Sequence, residues 1–279
     1  MRVALAQLCS GDDPAANLRM TEALVREAVG GGARLVLTPE CTNIVSADRE
    51  RQRAVLREEA EDPTLARLTA VAAELSAWLL VGSLCLRASG GDGRFVNRSL
   101  LIGPDGAVRA RYDKIHMFDV TLAGGEAYRE SAAYRPGARA VLTEVAGLRL
   151  GMTVCYDLRF PRLYRDLAQA GAEVLSAPSA FTVPTGEAHW HVLVRARAIE
   201  TGAYVLAPAQ SGTHAAARGA QRRTYGHSLA VSPWGEVLAD GGEGVGVVFA
   251  EVDPGEVARA RAMVPSLGHD RKYAPPEGW

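Results

Sequence analysis

The chain has 279 residues, 48% hydrophobic, 23% charged and 6% aromatic, and 31 basic against 32 acidic residues leave a formal charge of −1. Such proportions exclude a disordered, collagenous or fibrous chain, and near-neutrality without a basic block excludes nucleic-acid or anionic-membrane binding as the main activity. No stretch approaches the ~18 apolar residues of a membrane span, and Met1–Gln7 reads as a strand where a signal peptide would carry a longer apolar run. Cys9, Cys41, Cys85 and Cys155 lack the spacing of a disulfide framework or a zinc ribbon, so a cytoplasmic, thiol-reduced protein is expected.

Along the chain, apolar β-rich runs alternate with helical patterns. Val3–Gln7 is the first strand, and Asp13-Pro14 is the N-cap and first turn of a helix carrying Leu18, Leu24, Val25 and Ala28. Gly30-Gly31-Gly32 stops it before a buried strand at Arg34–Thr38. Asp62-Pro63 opens a helix with Leu65, Leu68, Ala72 and Leu75 on one stripe. Strands follow at Trp78–Leu86, Phe95–Ile102 and Val108–Tyr112, the last two joined by the turn Gly103-Pro104-Asp105-Gly106. Further strands are expected at Ala140–Val145, Leu148–Val154, Glu173–Ala177, Tyr204–Ala209, Ser228–Val231 and Val245–Val252, with helices near 160–170, 188–201 and 254–263. These are too many strands for one ordinary sheet, so a single α/β domain spanning 1–279 is expected, two mixed sheets packed face to face with helices outside. The tail from about 264 to 279 has no core pattern and is expected to be loose or to pack on a partner subunit.

Three of these strands deliver a reactive residue at their carboxyl ends. Leu35–Pro39 leads to Glu40, Val108–Asp113 to Lys114, and Leu148–Val154 to Cys155, after which Asp157–Pro161 opens a helix. The carboxyl edge of an α/β sheet is where loops converge on a crevice. A strand–Cys–helix turn exposes the sulfur near backbone N–H groups that favour a thiolate and receive an oxyanion. Lys114 stands out because only it and Lys272 are lysines; the other 29 basic residues are arginine. A compact ammonium can point at one oxygen in a small pocket, which a broad guanidinium cannot. Acid, amine and thiol together make a base, an electrostatic partner and a nucleophile. His189 and His191, two apart on a helix, form no metal-binding face, and no HExxH, GxSxG or Walker loop occurs; both histidines read as structural or pocket-lining. Gly241–Gly246 reads as a turn between strands.

The segments Thr38-Pro39-Glu40, Tyr112–Asp119 and Gly151–Pro161 resemble the nitrilase superfamily of carbon–nitrogen hydrolases, whose Glu–Lys–Cys triad has this order. The likeness continues through Ala177–Phe181, Gly186–Trp190, Arg195–Glu200 and Tyr225–Ser228 to Val264-Pro265. The segments look most like the branch holding omega-amidase and deaminated glutathione amidase. The resemblance implies a four-layer α-β-β-α sandwich that forms a homodimer through helices beside the site. It also implies a second glutamate in the crevice, matched by Glu130, with Glu126 the weaker candidate. By that likeness Cys155 attacks, Glu40 moves protons, Lys114 and the Tyr156 N–H hold the oxyanion, and Tyr156, Arg159, Phe181 and Thr182 line the substrate pocket. No cofactor and no metal are implied. The substrate class is a small carboxylate-bearing amide, hydrolysed through a thioester with release of ammonia or amine. A nitrile or N-carbamoyl amino acid suits the same triad, and a catalytically silent scaffold is the alternative of another kind. A carboxylate with a reference pKa of ~4.3 suits the proton-moving role only if burial raises it toward the operating pH.

Overall fold

The computed structural model describes the chain except for residues 91, 123, 124, 220, 275, 277 and 279. Its first half runs β1 (Arg2–Gln7), α1 (Pro14–Gly30), β2 (Leu35–Leu37), α2 (Arg49–Val55), α3 (Pro63–Leu75), β3 (Trp78–Arg87), β4 (Phe95–Ile102), β5 (Val108–Asp113), β6 (Asp119–Thr121) and β7 (Ala127–Arg129). The second half continues with β8 (Val141–Val145), β9 (Leu148–Met152), α4 (Pro161–Gln169), β10 (Val174–Ser176), α5 (Val183–Thr201), β11 (Tyr204–Ala207), β12 (Ser211–Thr213), β13 (Arg223–Tyr225), β14 (Leu229–Val231), β15 (Val237–Asp240), β16 (Gly246–Glu251) and α6 (Pro254–Met263).

Two six-stranded mixed sheets have the orders β16-β1-β2-β3-β4-β5 and β15-β14-β11-β10-β9-β8. Successive strand residues face opposite sides of a sheet, and here both sides are covered, which explains the unbroken apolar runs. Val3, Leu5, Leu35, Leu37 and Leu80 face the second sheet, meeting Val145, Leu150, Met152 and Val174. Their neighbours Ala4, Val36, Leu79 and Val81 face outward onto Val25 and Ala28 of α1 and Leu68 and Val71 of α3. Helices α4 and α5 cover the other sheet through Leu163, Leu167, Trp190 and Val194. The four-layer sandwich anticipated from the strand count is therefore the observed fold.

Aspartates start three helices as expected: Asp13, Asp62 and Asp253 accept from Ala15 N at 3.0 Å, Leu65 N at 2.9 Å and Gly255 N at 2.9 Å, each with proline next in sequence. One boundary differs: α5 begins at Val183, not near 188. Pro184 sits in its first turn, where no N–H is needed. Gly186, which looks like a helix breaker, is buried against Tyr225, whose Cγ would lie 2.2 Å from an added Cβ. Short, polar α2 and the hairpins β6/β7 and β12/β13 carry little hydrophobic periodicity and were not anticipated. At the tail, Arg165 reaches Ser266 O at 2.8 Å and Asp270 at 2.5 Å, and Gln169 reaches Leu267 O at 2.9 Å. Residues 266–270 thus pack on α4 of their own chain; 275, 277 and 279 of the expected loose tail lie outside the described residues.

Candidate active site

Glu40 lies three residues beyond β2, on a turn fixed from both sides. Ser83 N donates to Pro39 O at 3.2 Å, Cys41 N to Ser83 Oγ at 2.9 Å, and Gln210 Nε2 to Glu40 O at 3.0 Å. Gly82 makes this close approach possible: a Cβ there would stand 1.9 Å from Thr38 O. Lys114 directly follows β5, its N–H bonded to Asn97 O at 2.9 Å and its carbonyl accepting from Gly137 N at 2.8 Å. Cys155 takes the left-handed φ of +50° and donates its N–H to Pro178 O at 2.9 Å.

Asp157, fully buried, ties the cysteine turn to the lysine segment. Its Oδ2 accepts from Tyr112 OH at 2.7 Å and Val154 N at 2.9 Å, and its Oδ1 from His116 N at 3.0 Å, with His116 Nδ1 2.7 Å away. His116 in turn stacks on Phe160, ring centroids 3.5 Å apart. Four contacts on one carboxylate hold the ends of β5 and β9 together, so the position of the sulfur relative to the amine follows from backbone geometry.

The Lys114 ammonium is the hub. Its Nζ donates to Glu40 Oε1 at 2.9 Å and to Glu130 Oε1 and Oε2 at 3.0 and 2.8 Å. Asn97 Nδ2 adds a bond to Glu40 Oε1 at 2.9 Å, and Phe118 N one to Glu130 Oε2 at 2.6 Å. Lys114, Glu40 and Cys155 are only 2%, 4% and 6% exposed. Burial opposes the lysine charge, yet Glu130, Glu40 and Cys155 outweigh it and hold the ammonium well above its ordinary pKa. Burial likewise pushes the Glu40 carboxyl up, but Lys114, Cys155 and Arg222 prevail, and it lies below the ordinary carboxylate value. This reverses the upward shift expected from burial alone. For Cys155, burial and then the Glu40 charge push the thiol up against the pull of Lys114. Cys155 opens the short 3₁₀ turn Cys155–Arg159, with α4 starting only at Pro161, so no long helix N-terminus stands at the sulfur, and burial together with the Glu40 charge favours the thiol over the thiolate.

These groups line one cavity of about 390 Å³. Tyr156, Arg159 and Phe181 line it too, with the Arg159 guanidinium 5.5 Å from the Phe181 ring centroid and 3.2 Å from His189 Nδ1. Thr182 is displaced from its expected place: it is buried, its hydroxyl 2.8 Å from that of Thr185, and Thr185 reaches the cavity instead. The helix start at 183 turns residue 182 inward and presents the residue one turn later. Glu126 lines the rim and accepts from Tyr128 OH, leaving Glu130 as the glutamate on Lys114. Cys41 Sγ lies 3.5 Å from Cys85 Sγ in the wall.

Two features escaped the sequence. Arg222 enters the cavity from the segment before β13, where Gln221-Arg222-Arg223 reads as an ordinary polar loop. Away from the cavity lining, His191 Nε2 is 3.0 Å and His227 Nδ1 2.9 Å from oxygens of Asp240, tying α5 to the β14–β15 side. That cluster joins three distant segments, so helix spacing around His191 could not reveal it.

Comparison with known proteins points one way. The family model described as carbon–nitrogen hydrolase matches residues 2–262. The deaminated glutathione amidase of Yersinia enterocolitica is 39% identical over 270 residues, 96% of this chain and 92% of that one. Saccharomyces cerevisiae Nit3, a member of branch 10 of the nitrilase superfamily, superposes with a TM-score of 0.83 at 29% identity, covering 95% of this chain and 94% of that one. A glutamate-to-glutamine mutant of an amidase from Nesterenkonia sp. AN1, with acrylamide added to its active-site cysteine, gives a TM-score of 0.77 at 26% identity, covering 95% and 98%.

Proposed function

The chain belongs to the carbon–nitrogen hydrolase family and hydrolyses a non-peptide C–N bond of a small amide, and we propose that it does so through a thioester on Cys155, acting on a 2-oxo acid omega-amide or deaminated glutathione. The observation that carries this reading is the Lys114 ammonium lodged between Glu40 and Glu130 in the same cavity as the Cys155 thiol. Relatives named deaminated glutathione amidase support the substrate class. The Nesterenkonia amidase, whose active-site cysteine adds to acrylamide, supports a reactive sulfur.

In this mechanism Sγ attacks the amide carbon as its proton passes to Glu40, so the resting pair of thiol and carboxylate is the correct starting state. A depressed Glu40 pKa keeps the base unprotonated, and forming the C–S bond consumes the thiolate that would otherwise be disfavoured. The carbonyl electrons move to oxygen, and the Lys114 ammonium and the Tyr156 N–H donate hydrogen bonds to the resulting oxyanion; a well-placed donor contributes about 3–4 kcal/mol at the transition state. Glu40 returns its proton to the departing nitrogen, which leaves as ammonia or amine. Water then loses a proton to Glu40 as it attacks the thioester, and the thiol is restored on collapse. Glu130 keeps Lys114 charged and aimed. Tyr156, Arg159 and Phe181 contact the substrate.

The same reading takes 1–279 as one hydrolase domain. Exposed Val192 and Ile199 on α5 and Met263 on α6 support a homodimer through these helices. Four free cysteines suit a cytoplasmic enzyme, and no helix among the described residues is long and apolar enough to cross a membrane. The test is mass spectrometry after brief exposure to α-ketoglutaramate and deaminated glutathione, with 2-oxoglutarate formation followed in parallel. An acyl adduct on the Cys155 peptide is expected; turnover with the acyl group elsewhere, or no turnover of any amide, overturns the mechanism.

A further inference from the structure

Buried cations are normally held by counter-ions. Lys114 has Glu40 and Glu130, and buried Arg197 has Glu200 at 2.8 Å. Arg222, half-buried on the cavity wall, is different. Among the described residues no ion pair reaches it; its hydrogen bond runs from Nη2 to Ala180 O, and its Nε, closed off from solvent, has no partner. The guanidinium packs 5.7 Å from the Tyr128 ring centroid, on the wall of the cavity that holds Cys155 and Glu40. A guanidinium carries five N–H donors in a planar fork that matches a carboxylate, and here most of that fork is unspent. The whole cavity lining repeats the imbalance, with five cationic side chains against three carboxylates, an excess of two positive charges.

We infer that Arg222 is a specificity-determining residue that receives a carboxylate of the amide substrate, a role that rests on the amidase reading above. The carboxylate has two possible sources: the 2-oxo acid on the acyl side of the scissile bond, or the glycine end of an amine-side peptide. Both present the same planar anion to the fork. The competing explanation is that Arg222 only offsets the Glu40 charge, in which case its loss would affect neutral and anionic ligands alike.

Equilibrium binding in the Cys155→Ala protein separates these cases without depending on turnover. The calorimetric probes are 2-oxoglutarate for the acyl side, cysteinylglycine for the amine side, and pentanamide as the uncharged control. Adding Arg222→Gln should weaken one of the two anions by about 10- to 100-fold, the range for a lost charge-assisted hydrogen bond, and leave pentanamide within about twofold. Arg222→Lys, which keeps the charge without the fork, should bind that same anion with an intermediate loss of about 3- to 10-fold. The anion affected identifies the side. Equal weakening of all three probes, no weakening of either anion, or no binding of either anion to the protein with Arg222 intact would each overturn the inference. Turnover by the protein with Cys155 intact is read separately. Arg222-dependent anion binding without amide hydrolysis sinks the thioester mechanism alone, whereas hydrolysis with Arg222-independent binding sinks the recognition role alone.

Discussion

The floor of the cavity and its rim are built on different principles. Glu40, Lys114 and Cys155 each follow a sheet strand within three residues, and backbone hydrogen bonds fix all three turns. The rim comes from the hairpin β6/β7, the start of α2, and residues 221–222, where Arg129, Arg49 and Arg222 line the cavity from outside the two six-stranded sheets. A site whose reacting atoms must hold position gains from strand ends, while a surface that selects among substrates can be supplied by loops. Substitutions in the floor should therefore abolish chemistry without discriminating substrates, and substitutions in the rim should discriminate substrates without abolishing chemistry.

The strongest test of the floor is Cys155→Ala. Turnover should fall by about 10⁴-fold or more on every amide, while thermal unfolding stays within a few degrees. Residual activity within tenfold of the parent would place the nucleophile elsewhere. Lys114→Arg should follow at about 10³-fold, because a guanidinium cannot occupy the point where one ammonium meets Glu40 and Glu130 at 2.8–3.0 Å. Steady-state kinetics on two amides of different size would show equal losses; a substrate-dependent loss would move Lys114 from the reaction to recognition.

The same division explains what the residues disclose before a structure is known. Leu35-Val36-Leu37 and Leu148–Met152 announce their strands because both faces of each sheet are covered, and the reactive residue follows in a place dictated by topology. Lys114 was legible because it stands nearly alone among arginines. Asp157 is not, since its value lies in contacts with Tyr112, His116 and Val154, which come together only when the two sheets pack face to face. Arg222 was invisible for the opposite reason: what distinguishes it is a missing partner, and a local sequence cannot display an absent contact. The direction of the Glu40 shift is not readable in the sequence, because burial follows from an apolar run but the opposing charges of Lys114 and Arg222 are tertiary.

Glu130 is where rim meets floor. It opens a single 3₁₀ turn directly after β7, yet both its oxygens bond Lys114 Nζ. Glu130→Gln keeps the shape and removes one of the two charges facing the ammonium, so kcat should fall by about 10- to 100-fold with KM changed far less. A loss confined to KM would make Glu130 a rim residue only, and the two regions would then be mechanically separate.

The smallest expected effect is on pH. Because Lys114 holds Glu40 below the ordinary carboxylate value despite its burial, Glu40 stays charged across the neutral range, and kcat/KM should be nearly flat from about pH 7 down to about pH 5. The stability argument has the same sign. A depressed folded pKa means the unfolded chain binds the proton more readily, so the Glu40–Lys114 contribution is complete above the unfolded carboxylate value near pH 4.3 and disappears as pH falls through the lower folded value. Activity and stability should thus fail together on the acid side, below the ordinary carboxylate range. Removing the Lys114 charge, as in Lys114→Met, should eliminate this protection and let burial raise Glu40, moving acid unfolding to higher pH. If the acid limb of kcat/KM instead appears near pH 6 with Lys114 present, Glu40 titrates as an unpaired buried acid, and the ammonium does not control the floor as its three hydrogen bonds imply.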